Sequence, residues 1–526
     1  MVVSAHPLAT EAGVAVLREG GHAVDAAVTV QFALAVVLPW AGNIGGGGFM
    51  VVREADGDIY SLDFREKAPL AATRDMYLDS LGEVVPARSW RGHLAAGVPG
   101  SVAGMFAAHD SLGRLPMARL IQPAIDLAEG GFPLTRLEAE SLNGRLEAIR
   151  TYSTQPSGYT AQQTWAEGDI LRLPALAATL RRIRDAGAAG FYAGETADLI
   201  VAEMARGGGL ISHQDLLDYE AVWRTPVEGS YRGYKVIGMP PPSSGGIALL
   251  QLLQSVEDHG FSRWHSPADV HRMVEAERRV YADRAQHLGD PDYWPVPRPG
   301  LLDPAYNRAR MADFDPRRAT PSDSIAAGNP AAESEQTTHF SVVDAEGNAV
   351  SLTTTLNGGY GSCVVVGGAG FFLNNEMDDF SAKPGVPNAY GLVGAEANAV
   401  APGKRMLSSM TPTIVTRGDS LFMVVGTPGG STIITSVFQT ILNVVEYDFS
   451  MQGAVSAPRF HHQWRPDLIQ YESGSWSELD SSALARRGHA FRSRSSIGRV
   501  DAILVRPDGR LEGGADPRGD DTAGGF

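Results

Sequence analysis

One cysteine, Cys363, occurs in 526 residues. No disulfide can therefore form within the chain. The thiol count does not fix a compartment: one thiol suits the cytosol and does not exclude the periplasm. No CxxC, HExxH, GxSxG or P-loop string is present. That removes the usual sequence support for a zinc peptidase, an α/β-hydrolase or an NTPase. No basic cluster offsets a net charge of −16 and a pI of 5.3, which disfavours nucleic acid and anionic membranes as partners. Long apolar runs are also missing. The longest, Val24 to Leu38, is interrupted by Thr29 and Gln31 and ended by Pro39. It is too short to span a bilayer and reads as a buried helix, so no membrane segment is expected. The opening MVVSAHPLATEAG has neither the charged start nor the apolar centre of a signal peptide. The expectation is a cytosolic chain, or an exported one whose signal has been removed.

The length predicts two to four lobes of about 150 residues each. Hydrophobic residues make up 44% of the chain, as in an ordinary globular protein. Glycine is abundant, at 60 residues, and clustered at 45–48, 245–246, 358–359, 367–368 and 429–430. Such clusters point to close backbone packing or to sites lined by backbone.

Leu8 to Glu19 and Val24 to Leu38 read as helices, the first stopped by Gly20 and Gly21. The glycine run of GNIGGGGFMVV then leads into a strand. It lacks GxGxxG spacing, and helix precedes strand, so it is not a dinucleotide fingerprint. Ile59 to Phe64 reads as a strand that delivers Arg65, in FREKAP, to its end. Arginine is a solvated charge there or a bidentate carboxylate binder. Helices are expected at 99–111, 116–129, 171–186, 194–206, 247–256 and 268–285, the last charged and amphipathic. Ala319 to Gln336 is small, polar and without period, as expected of a linker.

That linker runs into QTTHFSVVDAEGNAVSLTTTLN. Thr338–Val343 and Ala349–Leu356 are rich in β-branched residues, with turn chemistry at Asp344, Gly347 and Asn348, so a hairpin is predicted. Scission before Thr337 would give its hydroxyl an adjacent α-amine as general base. A free α-amine titrates at roughly 7.7–8.0, so part of it is neutral near pH 7. An ordinary hairpin after a loop is the plainer alternative.

Further on, a short strand is expected at Ala369–Leu373, before the acidic NNEMDDF. Residues 381–400 form an unusually long loop, of a kind that often acts as a lid. Strands are expected at 407–415 and 421–431, and a helix at Thr432–Val445. Gly429 and Gly430 are either punctuation or a backbone oxyanion site at a helix start. His461 and His462 point apart on a strand and lack a third ligand, so they read as structural and not as a metal pair. Helices interleaved with mostly antiparallel strands imply an α/β (α+β) protein.

Taken in order, EGGHAVDAA, GNIGGGGFM, FREKAP, PPPSSGG, LGDPDY, QTTHFSVVD, LNNEMDDFSAKPGVPNAYGLVG, SSMTPTIV, GTPGGS and APRFHHQW resemble the γ-glutamyltranspeptidases. These are also called glutathione hydrolases, of the N-terminal-nucleophile hydrolase superfamily. The resemblance covers nearly the whole chain. It implies a four-layer αββα sandwich and autocatalytic cleavage between Gln336 and Thr337. The products would be a large subunit, 1–336, and a small one, 337–526, held together as a heterodimer. It further implies Thr337 as nucleophile, Thr355 orienting it, and Gly429 and Gly430 as oxyanion donors. Arg65, Ser408 and Ser409 would bind the α-carboxylate of the γ-glutamyl group, and Asn357, Glu376 and Asp379 its α-ammonium. Tyr390 would lie on a lid. Substrates would be glutathione and other γ-glutamyl compounds, with amino acids or dipeptides as acceptors, no cofactor and no metal. Family members are mostly exported, which favours the periplasm or the cell exterior.

Met406 stands where relatives usually have proline, and Lys67 and Gly358-Gly359-Tyr360 also depart from the pattern. These departures bear on acceptor preference. Two alternatives remain: a cephalosporin or glutaryl acylase on the same scaffold, and an uncleaved binding protein.

Overall fold

The computed structural model describes residues 1–325, 337–383 and 396–526. Gln336 and Tyr390 lie outside them, as does most of the expected lid.

Two sheets lie face to face. The first has seven strands, in the order Thr522–Gly524, Val2–Ser4, Thr337–Val343, Ala349–Thr355, Gly47–Arg53, Ile59–Asp63 and Val222–Arg224. The second has six, in the order Leu511–Gly514, Asp501–Val505, Ser420–Gly426, Thr413–Arg417, Tyr234–Gly238 and Val227–Tyr231. Every pairing within both sheets is antiparallel.

The side-chain period of two sorts these strands. Val3, Phe49, Val51, Ile414, Val424 and Ile503 fill the space between the sheets. Met50, Val52, Phe340, Val342, Val350 and Leu352 face the other way, into a core shared with helices Pro7–Arg18, Ala23–Val37, Ser101–Leu112 and Met117–Gly130. On the far side, Val236, Val415, Met423 and Val425 pack against helices Gly245–Val256, Pro267–His287 and Thr432–Val445. The result is the αββα layering.

Helix Ala23–Val37 is buried on every side and nearly all apolar, with Asp25, Thr29 and Gln31 the exceptions. Its start is closed by His22 and Asp25: the His22 ring accepts from the Val24 amide, and Asp25 accepts from the His22 amide. The hairpin turn uses the chemistry expected of it, since Asp344 Oδ1 accepts from the Glu346 and Asn348 amides.

Three expectations need correcting. Ala369–Leu373 is not a strand; one isolated bridge, Val365 with Phe372, is all that pairs there, because successive glycines keep the chain turning. The strand read at 407–415 begins only at Thr413, and the one read at 421–431 ends at Gly426. Helix Pro267–His287 is charged, as expected, and much of that charge is buried. Glu275, Arg278 and Arg279 are buried and bonded to one another, with Arg278–Glu275 at 2.5 Å and Arg279–Glu275 at 2.7 Å.

Candidate active site

Thr337 is the first described residue of a central strand, and its cross-strand partner is Thr355. Both side chains share a face with His339, Ser341 and Thr353, toward the second sheet. Thr337 Oγ1 donates to Thr355 Oγ1 at 3.4 Å, and Thr355 Oγ1 accepts from the Asn357 amide at 2.7 Å. Thr355 thus sits between the candidate nucleophile and the chain that turns away from the sheet. Asn357 takes a positive φ of 69° to make that turn.

Sequence reasoning missed Asn43. Its side-chain nitrogen donates to Thr355 O at 2.9 Å and to Thr354 Oγ1 at 3.0 Å, while its oxygen accepts from the Gly46 amide and from Ser101. A Cβ on Gly46 would stand 2.0 Å from the Thr355 carbonyl. Here the glycine run is what lets the backbone close on the Thr355 strand.

Gly429 and Gly430 follow the strand Ser420–Gly426 and precede the 14-residue helix Thr432–Val445. Their φ values are 135° and 57°, in the positive region that favours glycine. Thr432 Oγ1 donates to Gly429 O at 2.7 Å and fixes the turn. Among the described residues neither the Gly429 nor the Gly430 amide donates a hydrogen bond. Two amides at a helix start suit an oxyanion. Gly429 and Thr337 line the same cavity, so the candidate nucleophile and the glycine turn are neighbours.

The charged residues gather on another side. Arg65 is 1% exposed. Its guanidinium lies 2.8 Å from Glu376 Oε2, 2.5 Å from Asp379 Oδ2 and 3.6 Å from Glu66 Oε2. It also donates to the carbonyls of Met406 at 3.4 Å and Leu407 at 3.2 Å, which brings it to the residues just before Ser408. The contact at 406 is to backbone, so methionine in place of proline leaves it available. The carboxylates and the arginine assigned to opposite ends of one zwitterion are therefore bonded to each other in this structure.

Burial raises the pKa of Glu376; Arg65, with contacts to Asp379 and Thr355, opposes the rise. Glu66, which the sequence reading passed over inside FREKAP, is pushed up to about 8 by burial, again against Arg65. Glu66 could have been noticed as a carboxyl next to the arginine, but nothing in a single sequence says that both turn inward.

Asn374 holds the acidic turn. It accepts from the Gly97 and Glu376 amides and donates to the carbonyls of Gly45 and Gly97. The Asn357 carboxamide donates to Asn375 O at 2.9 Å, so one of its hydrogens is committed to the fold. Ser409 Oγ accepts from Arg284 at 2.9 Å, and Ser408 Oγ accepts from the Met410 amide at 3.2 Å. Arg284, on the helix Pro267–His287, was another residue the sequence did not single out.

His461 and His462 are buried and bonded to Thr435, Gln463 and Asp467. Burial lowers their pKa values to about 3 and about 4, so both rings are neutral. Among the described residues no cluster of His, Cys, Asp and Glu could hold a metal ion, and no helix is long and apolar enough to cross a membrane.

The family model described as Gamma-glutamyltranspeptidase matches residues 9–526. The "Glutathione hydrolase proenzyme" of Escherichia coli (strain K12) is 46% identical over 539 residues, covering all of this chain and 92% of the relative. The crystal structure of Helicobacter pylori gamma-glutamyltranspeptidase is 47% identical, with a TM-score of 0.60, covering 61% of this chain and 94% of that one. The crystal structure of a cephalosporin acylase from Bacillus halodurans superposes with a TM-score of 0.88 at 28% identity, covering 100% of this chain and 95% of that one.

Proposed function

The chain belongs to the gamma-glutamyltranspeptidase family, and from that premise we propose how its residues carry out γ-glutamyl transfer and glutathione hydrolysis. One observation carries the reading: Thr337 heads a central strand, faces Thr355 across the ladder and opens onto the Gly429 turn.

In maturation the Thr337 hydroxyl attacks the Gln336 carbonyl and displaces the Thr337 nitrogen, leaving an ester that water hydrolyses. The freed α-amine is then the base for the main reaction. Thr337 Oγ attacks the γ-amide carbon and its proton passes to the α-amine. The amides of Gly429 and Gly430 hold the oxyanion. The C–N bond breaks, the amine leaves with that proton, and a γ-glutamyl ester remains. Water yields glutamate; an amino acid or dipeptide yields a new γ-glutamyl amide. The large piece, 1–336, and the small piece, 337–526, stay together because strands of both share each sheet.

The substrate head is a zwitterion, and Arg65 with Glu376 and Asp379 is its complement. On binding, the α-carboxylate replaces the carboxylates on Arg65, and Glu376 and Asp379 turn to the α-ammonium. Ser408 and Ser409 complete the carboxylate side. A glutaryl side chain has no ammonium, and three buried carboxyls around one arginine would serve it no purpose. That sets the acylase reading behind this one, although the acylase shares the fold. Comparing γ-glutamyl-p-nitroanilide with glutaryl-p-nitroanilide tests the choice: the γ-glutamyl compound is cleaved faster, and faster glutaryl release would reverse the assignment. An uncleaved binding protein would show one persistent 55.9 kDa species and no turnover.

A further inference from the structure

The cavity that Thr337 and Gly429 share has a volume of about 240 Å³. Three of its ten described lining residues are arginines, Arg494, Arg499 and Arg518, and none is acidic. Neither Arg65 nor any residue of its carboxylate cluster lines it. The cavity beside Thr337 is therefore distinct in character from the Arg65 cluster.

The carboxylates that hold Arg499 and Arg518 do not line the cavity. Asp521 pairs with Arg499, and Asp516 and Glu472 pair with Arg518. The side chains of Arg499 and Arg518 are 14% and 15% exposed, against 0% for Asp521, 0% for Asp516 and 6% for Glu472. What the cavity meets is guanidinium. Arg499 is also fixed from the side: it lies 5.5 Å from the centroid of the Trp40 ring and donates to Ala5 O at 3.0 Å. Arg494 comes from the end of the strand Phe491–Arg494 and donates to Gln470 Oε1 at 3.0 Å. Planar guanidiniums held in fixed positions suit a carboxylate.

Acyl transfer needs a place for the amine that leaves and for the amine that arrives, and these are the same place run in opposite directions. In the reading above the donor's own α-carboxylate belongs to Arg65. A second cationic wall beside the nucleophile then answers to a second carboxylate. An extended dipeptide places its carboxylate about 7 Å from its amine. We propose that the cavity is the subsite for the leaving and accepting amine, and that Arg494 and Arg499 select amino acids or dipeptides with a free carboxylate. The proposal rests on the γ-glutamyl transfer reading and adds acceptor selectivity to it.

The test uses the matured enzyme with saturating γ-glutamyl-p-nitroanilide and two acceptors, glycylglycine and glycylglycine amide. Acceptor-stimulated p-nitroaniline release is normalised to each variant's own hydrolysis without acceptor. The wild-type enzyme favours glycylglycine over its amide by about tenfold in kcat/KM for acceptor, as one charge-assisted contact predicts. R494Q reduces that preference below about threefold, and R494K restores most of it. R499Q, which also disturbs Asp521, is read only alongside R494Q. An unchanged preference in R494Q overturns the proposal. So does a rise in donor KM in the absence of acceptor, which would make the cavity a donor site. If the wild-type enzyme releases no p-nitroaniline from the γ-glutamyl donor, the transfer reading itself fails; in the other outcomes hydrolysis persists and only the subsite is lost.

Discussion

The two halves of the candidate site are built differently. The nucleophile half is backbone geometry: one hairpin register puts Thr337 opposite Thr355, and Asn43 pins the Thr355 carbonyl. The binding half is charge: Arg65 is surrounded by Glu66, Glu376 and Asp379 and touches the carbonyls before Ser408. Local pairing determines the first and it tolerates little. The second is assembled from three distant stretches whose charges are paired with one another. In the proposed reading, chemistry sits on the half fixed by strand register and recognition on the half built from paired charges.

Four substitutions separate the halves, in order of expected effect. Thr337→Ala removes nucleophile and cleavage chemistry together: the chain stays intact on a denaturing gel and turnover is undetectable. Arg65→Ala leaves cleavage complete but raises donor KM by about 100-fold, the equivalent of one charge-assisted contact of about 3 kcal/mol. It also lowers Tm, because buried carboxylates lose their partner. An unchanged KM would remove the carboxylate role from Arg65.

Asn43→Ala is the counterpart in the nucleophile half. It lowers kcat by about tenfold with little change in KM, since it removes a hydrogen bond that holds the end of the Thr355 strand, a contact worth about 0.5–1.5 kcal/mol. A change in KM alone would place Asn43 in the other half.

Glu66→Gln gives the smallest effect. Glu66 keeps its proton in the folded chain to about pH 8, whereas the unfolded chain releases it near its ordinary value of about 4.3. Between those values the unfolded state binds fewer protons, so this group makes stability fall as pH rises. The variant lacks that contribution, and its Tm falls less than the wild-type Tm between pH 5 and 8 in thermal melts. Equal slopes would show that Glu66 is ionised in the fold.

The same contrast explains what the sequence revealed. The hairpin, its turn residues, the helix Thr432–Val445 and the glycine pair before it were legible because each is coded within about twenty residues. Arg65 was legible as an arginine at a strand end. Its partners were not, because only the fold turns Glu66 and Glu376 toward it. Asn43 and Asn374 were missed for a related reason: their acceptors are the carbonyls of Thr355, Gly45 and Gly97, and backbone groups leave no trace in a side-chain pattern. The strand misread at Ala369–Leu373 shows the opposite error, β-favouring residues overruled by the glycines around them.

N-terminal sequencing of catalytically competent enzyme tests the central claim most directly. The account predicts a chain beginning Thr-Thr-His-Phe beside the larger piece. Full activity from an uncut chain, or a new terminus at any other residue, would contradict it.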